Sequence, residues 1–141
     1  MSSVLARFRG TTDCQCLTDA RRLRGELLNW CFKEENIPKK YRNSFIPIIK
    51  EITSKIVNAS DKAQRSYPTS PEKLSERKVY IRIAMDSCQD LWKELQCLDD
   101  LRSNSGGLNL TKFEPILTKL YNLQASLKSW ESNSILQESK Y

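Results

Sequence analysis

Apolar residues return at three- and four-residue steps through four separate stretches of this chain, a period that belongs to helices. In the longest stretch Leu74, Ile81, Ala84, Cys88, Leu91, Leu95 and Leu98 draw one stripe, where a strand would alternate every two residues. Ser70 is a ready N-cap and Pro71 suits the first helical turn. The spacing therefore predicts a helix from Ser70 to Arg102, closed by the breakers Ser103-Asn104-Ser105-Gly106-Gly107. Such a helix is about 45 Å long, and a stripe of that length has to be covered by other helices.

The remaining stretches supply the cover. A first helix is expected from Thr18 or Asp19 to about Glu35, with Ala20, Leu23, Leu27 and Cys31 inward and Leu28 and Trp30 alongside. Asn36-Ile37-Pro38 ends it, because the residue before a proline is driven out of helical geometry. Lys39-Lys40-Tyr41-Arg42 follows as a connector. A second helix starts at Asn43 or Ser44, either of which can cap it, and carries Pro47 in its first turn. Phe45, Ile48, Ile49, Ile52, Ile56, Ala59 and Ala63 form its stripe up to Tyr67-Pro68. Thr111 and Glu114 read as a capping box opening a helix whose stripe runs from Phe113 to Trp130. Four amphipathic helices on short connections predict an all-α, antiparallel up-down-up-down four-helix bundle over residues 18–130. Residues 1–17 are expected to be an arm or a short added helix and 131–141 a polar, frayed tail. Trp30, Trp92 and Trp130 fall on or beside the stripes; Trp30 and Trp92, near stripe edges, are places a second subunit could cover.

Charge changes the picture. The net charge of +6 is uneven: residues 37–82 hold eleven Lys/Arg against four Asp/Glu, whereas residues 83–141 hold six against eight. Lys73, Arg77, Lys78 and Arg82 lie in the N-terminal half of the long helix, where the macrodipole favours anions over cations. A basic middle on a compact domain points to a polyanionic partner, most often nucleic acid. Tyr41 and Tyr80 stand among these cations as candidates for base stacking or for plain packing.

Catalytic chemistry is poorly provided for. There is no histidine, so imidazole acid–base work and His-metal sites are excluded. Gly106-Gly107 lacks the residues of a phosphate-cradling loop, and Glu94, Asp99 and Asp100 fall off the apolar stripe. The Cys14-Gln15-Cys16 pair has no second close cysteine pair to complete a zinc site. The expectation is a non-enzyme without cofactor or metal. The five cysteines are an odd number; Cys88 and Cys97 fall in helical positions, Cys88 on the stripe, and read as reduced core thiols of a cytoplasmic protein. No run of apolar residues reaches membrane-spanning length.

The Ile37-Pro38-Lys39-Lys40-Tyr41-Arg42 stretch, the Ile-rich helix closing on Ala59 and Ala63, the Leu74, Arg77, Ile81, Ala84 spacing and the final Leu123, Leu127, Trp130 set resemble one family. They are similar to the Avd-like proteins, which comprise the accessory variability determinant of diversity-generating retroelements and proteins encoded in ribosomal-RNA intervening sequences. The resemblance spans Leu27 to Trp130. It implies a homopentameric four-helix bundle without activity of its own, which binds template RNA, and DNA as an alternative, and associates with a reverse transcriptase in mutagenic retrohoming. The positions it points to as the nucleic-acid contacts are Lys39, Lys40, Arg42, Arg77, Lys78 and Arg82. The Cys14/Cys16 arm departs from the family pattern. The alternatives are the intervening-sequence branch, or a helical adaptor that docks an acidic protein.

Overall fold

A computed structural model describes residues 14–33, 35–102 and 110–138, and these form four helices: α1 (Gln15–Cys31), α2 (Lys39–Arg65), α3 (Pro71–Arg102) and α4 (Leu110–Glu138). Each packs on its two neighbours, α1 and α3 both lying between α2 and α4, with α2–α3 the most extensive seam. The fold is the antiparallel four-helix bundle that the periodicity calls for. The arm up to residue 13 and the Ser103–Gly107 breakers lie outside the described residues.

α3 follows its sequence pattern closely. The Lys73 amide donates to Ser70 Oγ at 3.2 Å, the N-cap bond, and every residue of the stripe from Leu74 to Leu98 is buried. α2 in turn buries Phe45, Ile49, Thr53, Ile56, Ala59, Ser60 and Ala63, and the bonds from Arg77 to Ala63 O and Gln64 O set its antiparallel register against α3.

Five helix boundaries differ from expectation. α1 starts at Gln15, because Cys16 and Leu17 are buried and carry the stripe back one turn. It stops at Cys31, short of Glu35, where side chains take over its terminal carbonyls: Asn36 Nδ2 donates to Trp30 O at 2.9 Å, and Arg42 donates to Cys31 O and Phe32 O at 3.4 and 3.3 Å. Pro38 serves α2 as N-cap, in extended geometry (φ −56°, ψ 149°), so Lys39-Lys40-Tyr41-Arg42 forms the first helical turn instead of a connector. Tyr41 is held edge-on to Phe45, with ring centres 6.4 Å apart. Pro47 then sits inside the helix, on its exposed side. The missing N–H is tolerable there because the flanking Phe45 and Ile49 are anchored in the core. α4 opens at Leu110, which places Thr111 within the helix instead of at its cap, and continues past Trp130 to Glu138. Ser134, 1% exposed, donates to Trp130 O at 2.9 Å and holds that extension.

Trp30 is 5% exposed and lies against Phe113 of α4 with ring centres 4.9 Å apart. Its own chain covers it, so it is not a surface awaiting a second subunit. Trp92 is partly buried, and its Nε1 donates to Gln124 Oε1.

Among the described residues no two cysteines form a disulfide. Burial pushes Cys16, Cys31 and Cys88 up from 9.0 to about 12; Cys14 and Asp19 add to the effect at Cys16, Cys16 adds to it at Cys88, and Arg42 opposes it at Cys31. A raised thiol pKa means that the folded state favours the neutral form. Its contribution to stability is complete below 9.0 and is lost as pH rises toward about 12. We expect a thiol reagent at mildly alkaline pH to modify exposed Cys97 quickly and Cys16, Cys31 and Cys88 only on unfolding. Rapid native labelling of all five would contradict this core.

Candidate nucleic-acid interface

The six cations singled out from the sequence do not form one site. Lys39, Lys40 and Arg42 occupy the first turn of α2, whereas Arg77 reaches the carbonyls of Ala63 and Gln64 in its last turn. Those turns are about 35 Å apart along the helix.

The two groups also differ in what their charges are doing. Arg77 is buried, 9% exposed, because position 77 falls in phase with Leu74 and Ile81. Its Nε donates to Ala63 O at 3.0 Å and an Nη to Gln64 O at 3.4 Å. The guanidinium lies 5.6 Å from the Tyr67 ring centre and 5.3 Å from that of Trp130. Desolvation lowers its pKa from the ordinary arginine value, with Cys14 and Tyr67 acting the other way. Arg77 thus fastens α2, α3 and α4 together and does not lie on the solvent face assigned to it. Arg82 pairs with Glu131 of α4 at 2.9 Å. Lys78 is half-buried and also engaged. Arg42 caps α1, as described above.

Lys39 and Lys40 are exposed, and among the described residues Lys40 makes only a ring contact, 4.9 Å from the centre of Tyr41. They belong to a longer set. Lys50, Lys55 and Lys62 are exposed on the same helix, and among the described residues none of the five has a carboxylate within ion-pair distance. Lys62 sits over Tyr80 of α3 at 5.7 Å. α2 carries seven Lys/Arg against Glu51 and Asp61, and Asp61 is taken by Arg65 at 3.2 Å. Its first turn has no acidic residue, so the cations there work against the helix dipole. From Lys40 to Lys62 the helix presents positive charge over about 33 Å, interleaved with the exposed or half-exposed Asn43, Ser44, Ser54 and Asn58. Small hydroxyl and amide side chains between lysines suit contact with successive phosphates.

Lys50, Lys55 and Lys62 fall off the apolar stripe of α2. What sets them apart is that, among the described residues, no carboxylate across the bundle forms an ion pair with them. The sequence does not reveal which cations find a distant acid, as Arg82 does in Glu131 and Lys119 in Glu26.

Among the described residues no three of His, Cys, Asp and Glu gather to hold a metal, and no helix is long and apolar enough to cross a membrane. Compared with family models, curated proteins and solved structures, the chain matches none.

Proposed function

We propose that this chain is a non-catalytic nucleic-acid-binding bundle that lays the solvent face of α2 along a phosphate backbone. The observation that carries the proposal is the run of exposed lysines on α2, Lys39, Lys40, Lys50, Lys55 and Lys62, which make no ion pairs among the described residues while most cations of α3 are engaged. Recognition of this kind is dominated by phosphate contacts and weakly selective for sequence. The bundle architecture and the basic middle agree with the Avd-like resemblance. On that basis we extend the proposal to a homopentameric accessory of a reverse transcriptase acting on template RNA.

The test replaces Lys40, Lys50 and Lys55 together by Gln, changes confined to exposed side chains. Affinity for a single-stranded RNA should fall by about tenfold or more at low salt, and the salt slope should flatten by about 0.7 for each phosphate contact removed. Circular dichroism should be unchanged. Lys78→Gln is the comparison and should bind RNA nearly as the parent does. Unchanged RNA affinity in the triple variant would rule out α2 as the interface. An acidic protein that is retained after nuclease treatment, with no affinity for free RNA, would favour the adaptor alternative. Light scattering that gives a monomer at micromolar concentration would remove the pentamer.

A further inference from the structure

We propose that the cleft at the C-terminal end of α2 holds the terminal phosphomonoester of a nucleic-acid strand, an assignment that rests on the nucleic-acid reading of α2 and adds a specific subsite to it. The cleft has a volume of about 380 Å³ and is lined by Lys62, Arg65, Ser66, Lys73, Glu76 and Tyr80. It forms where α2 ends and the chain turns back into α3. Its size is at the lower end for small-molecule sites, suited to a single nucleotide and not to a duplex.

Three observations favour a phosphate carrying a nucleoside. Lys62, Arg65 and Lys73 converge from two helices on one cleft, against a single lining carboxylate. A terminal phosphomonoester carries a charge of about −1.5 to −2 near neutral pH, which is more than one backbone diester brings. Tyr80 forms part of the wall with the Lys62 ammonium over its ring, 5.7 Å from the centre, so an aromatic ring and a phosphate-binding cation meet at one face of the cleft, and a base stacks there once the flexible lysine turns to the phosphate. Lys62 also belongs to the α2 lysine run, so a strand lying along that run arrives at the cleft with its end.

The existing pairs do not block this. Lys73 bonds Glu76 at 3.3 Å and Arg65 bonds Asp61 at 3.2 Å, and the partners in both pairs are at least one-third exposed. Exposed pairs of this kind are weak, and a phosphate dianion offers more acceptors to the same cations. Ser66 Oγ already donates to Lys62 O at 3.0 Å and approaches Glu76 at 3.5 Å. It shapes the floor of the cleft and is not counted as a phosphate ligand.

The experiment titrates the full chain against a short, internally labelled single-stranded RNA in three forms: phosphorylated at the 5′ end, phosphorylated at the 3′ end, or with hydroxyls at both. One phosphorylated form should bind about tenfold tighter than the hydroxyl form. Which form it is identifies the end that enters. Lys62→Gln with Lys73→Gln should erase that preference while hydroxyl-ended RNA still binds. Lys40→Gln, Lys50→Gln and Lys55→Gln together should weaken all three forms alike. Equal affinity for the three RNAs, or a preference that survives in the Lys62/Lys73 variant, overturns the terminal-phosphate site and leaves backbone binding standing. No binding of any form overturns both. A phosphoserine peptide that binds more tightly than the phosphorylated RNA would also overturn it, in favour of a protein ligand.

Discussion

Replacing Arg77 by Ala should cost the bundle about 3 kcal/mol, enough to lower its melting temperature by about 10 °C. The guanidinium donates to two carbonyls in the last turn of α2, which have no helical partner of their own and would be left in a buried place. The same group fills the space between Tyr67 and Trp130, so truncation also opens a gap where α4 meets the α2–α3 seam. Arg77→Lys keeps the charge but cannot fork across two carbonyls while lying flat on a ring, and should fall between the parent and Ala. Lys73→Ala, one turn earlier and exposed, should lose a small fraction of this. Urea unfolding followed by circular dichroism provides the comparison. An Arg77→Ala midpoint equal to that of Lys73→Ala would show that the buried guanidinium fastens nothing. The effect also bears on function: any loss of RNA binding in an Arg77 variant has to be separated from loss of fold, and so α2 lysines make the cleaner probes.

The architecture was legible because apolar spacing is a local signal, and it was clearest where punctuation agreed with it. Ser70 and Pro71 mark the start of α3 and nothing in that helix competes with its stripe. The start of α2 was less legible because Pro38 does two jobs. It prevents α1 from continuing, which the sequence shows, and it caps the next helix, which depends on Tyr41 reaching Phe45 and Arg42 reaching back to α1. Arg77 shows the opposite failure. Its position between Leu74 and Ile81 was already in phase with the core, but its charge suggested a solvent face. What made burial tolerable was a pair of helix-end carbonyls thirteen and fourteen residues away, and only the turn between α2 and α3 brings them there. The interface followed the same logic. The local excess of cations was visible in residues 37–82, but their pairing is decided between helices. Arg82 is engaged by Glu131, whereas among the described residues the exposed lysines of α2 form no ion pair.

Trp30 should separate packing from polar satisfaction at the other end of the bundle. Its indole is 5% exposed and tilted at 41° against Phe113, joining α1 to α4. Among the described residues its Nε1–H finds no acceptor, so the ring contributes apolar contact while carrying a desolvated donor. Trp30→Ala should cost about 4 kcal/mol, because it removes the contact and leaves a cavity that the neighbouring helices fill only in part. Trp30→Phe removes the orphaned donor and keeps most of the contact with Phe113. The relief of a buried unpaired N–H offsets the volume lost, and the net change should be within about 1 kcal/mol. The bonds from Asn36 Nδ2 and the Lys33 amide to Trp30 O involve only its backbone and persist in both variants. Denaturant midpoints for the two substitutions, measured by circular dichroism, should therefore differ widely. If Trp30→Phe proves as damaging as Trp30→Ala, the indole N–H has a partner that matters and the contact with Phe113 is not what holds α1 to α4. If Trp30→Ala is mild, the end of the bundle beside the first turn of α2 is looser than its burial implies, and the spacing between Lys40 and the rest of the lysine run would not be fixed by the fold.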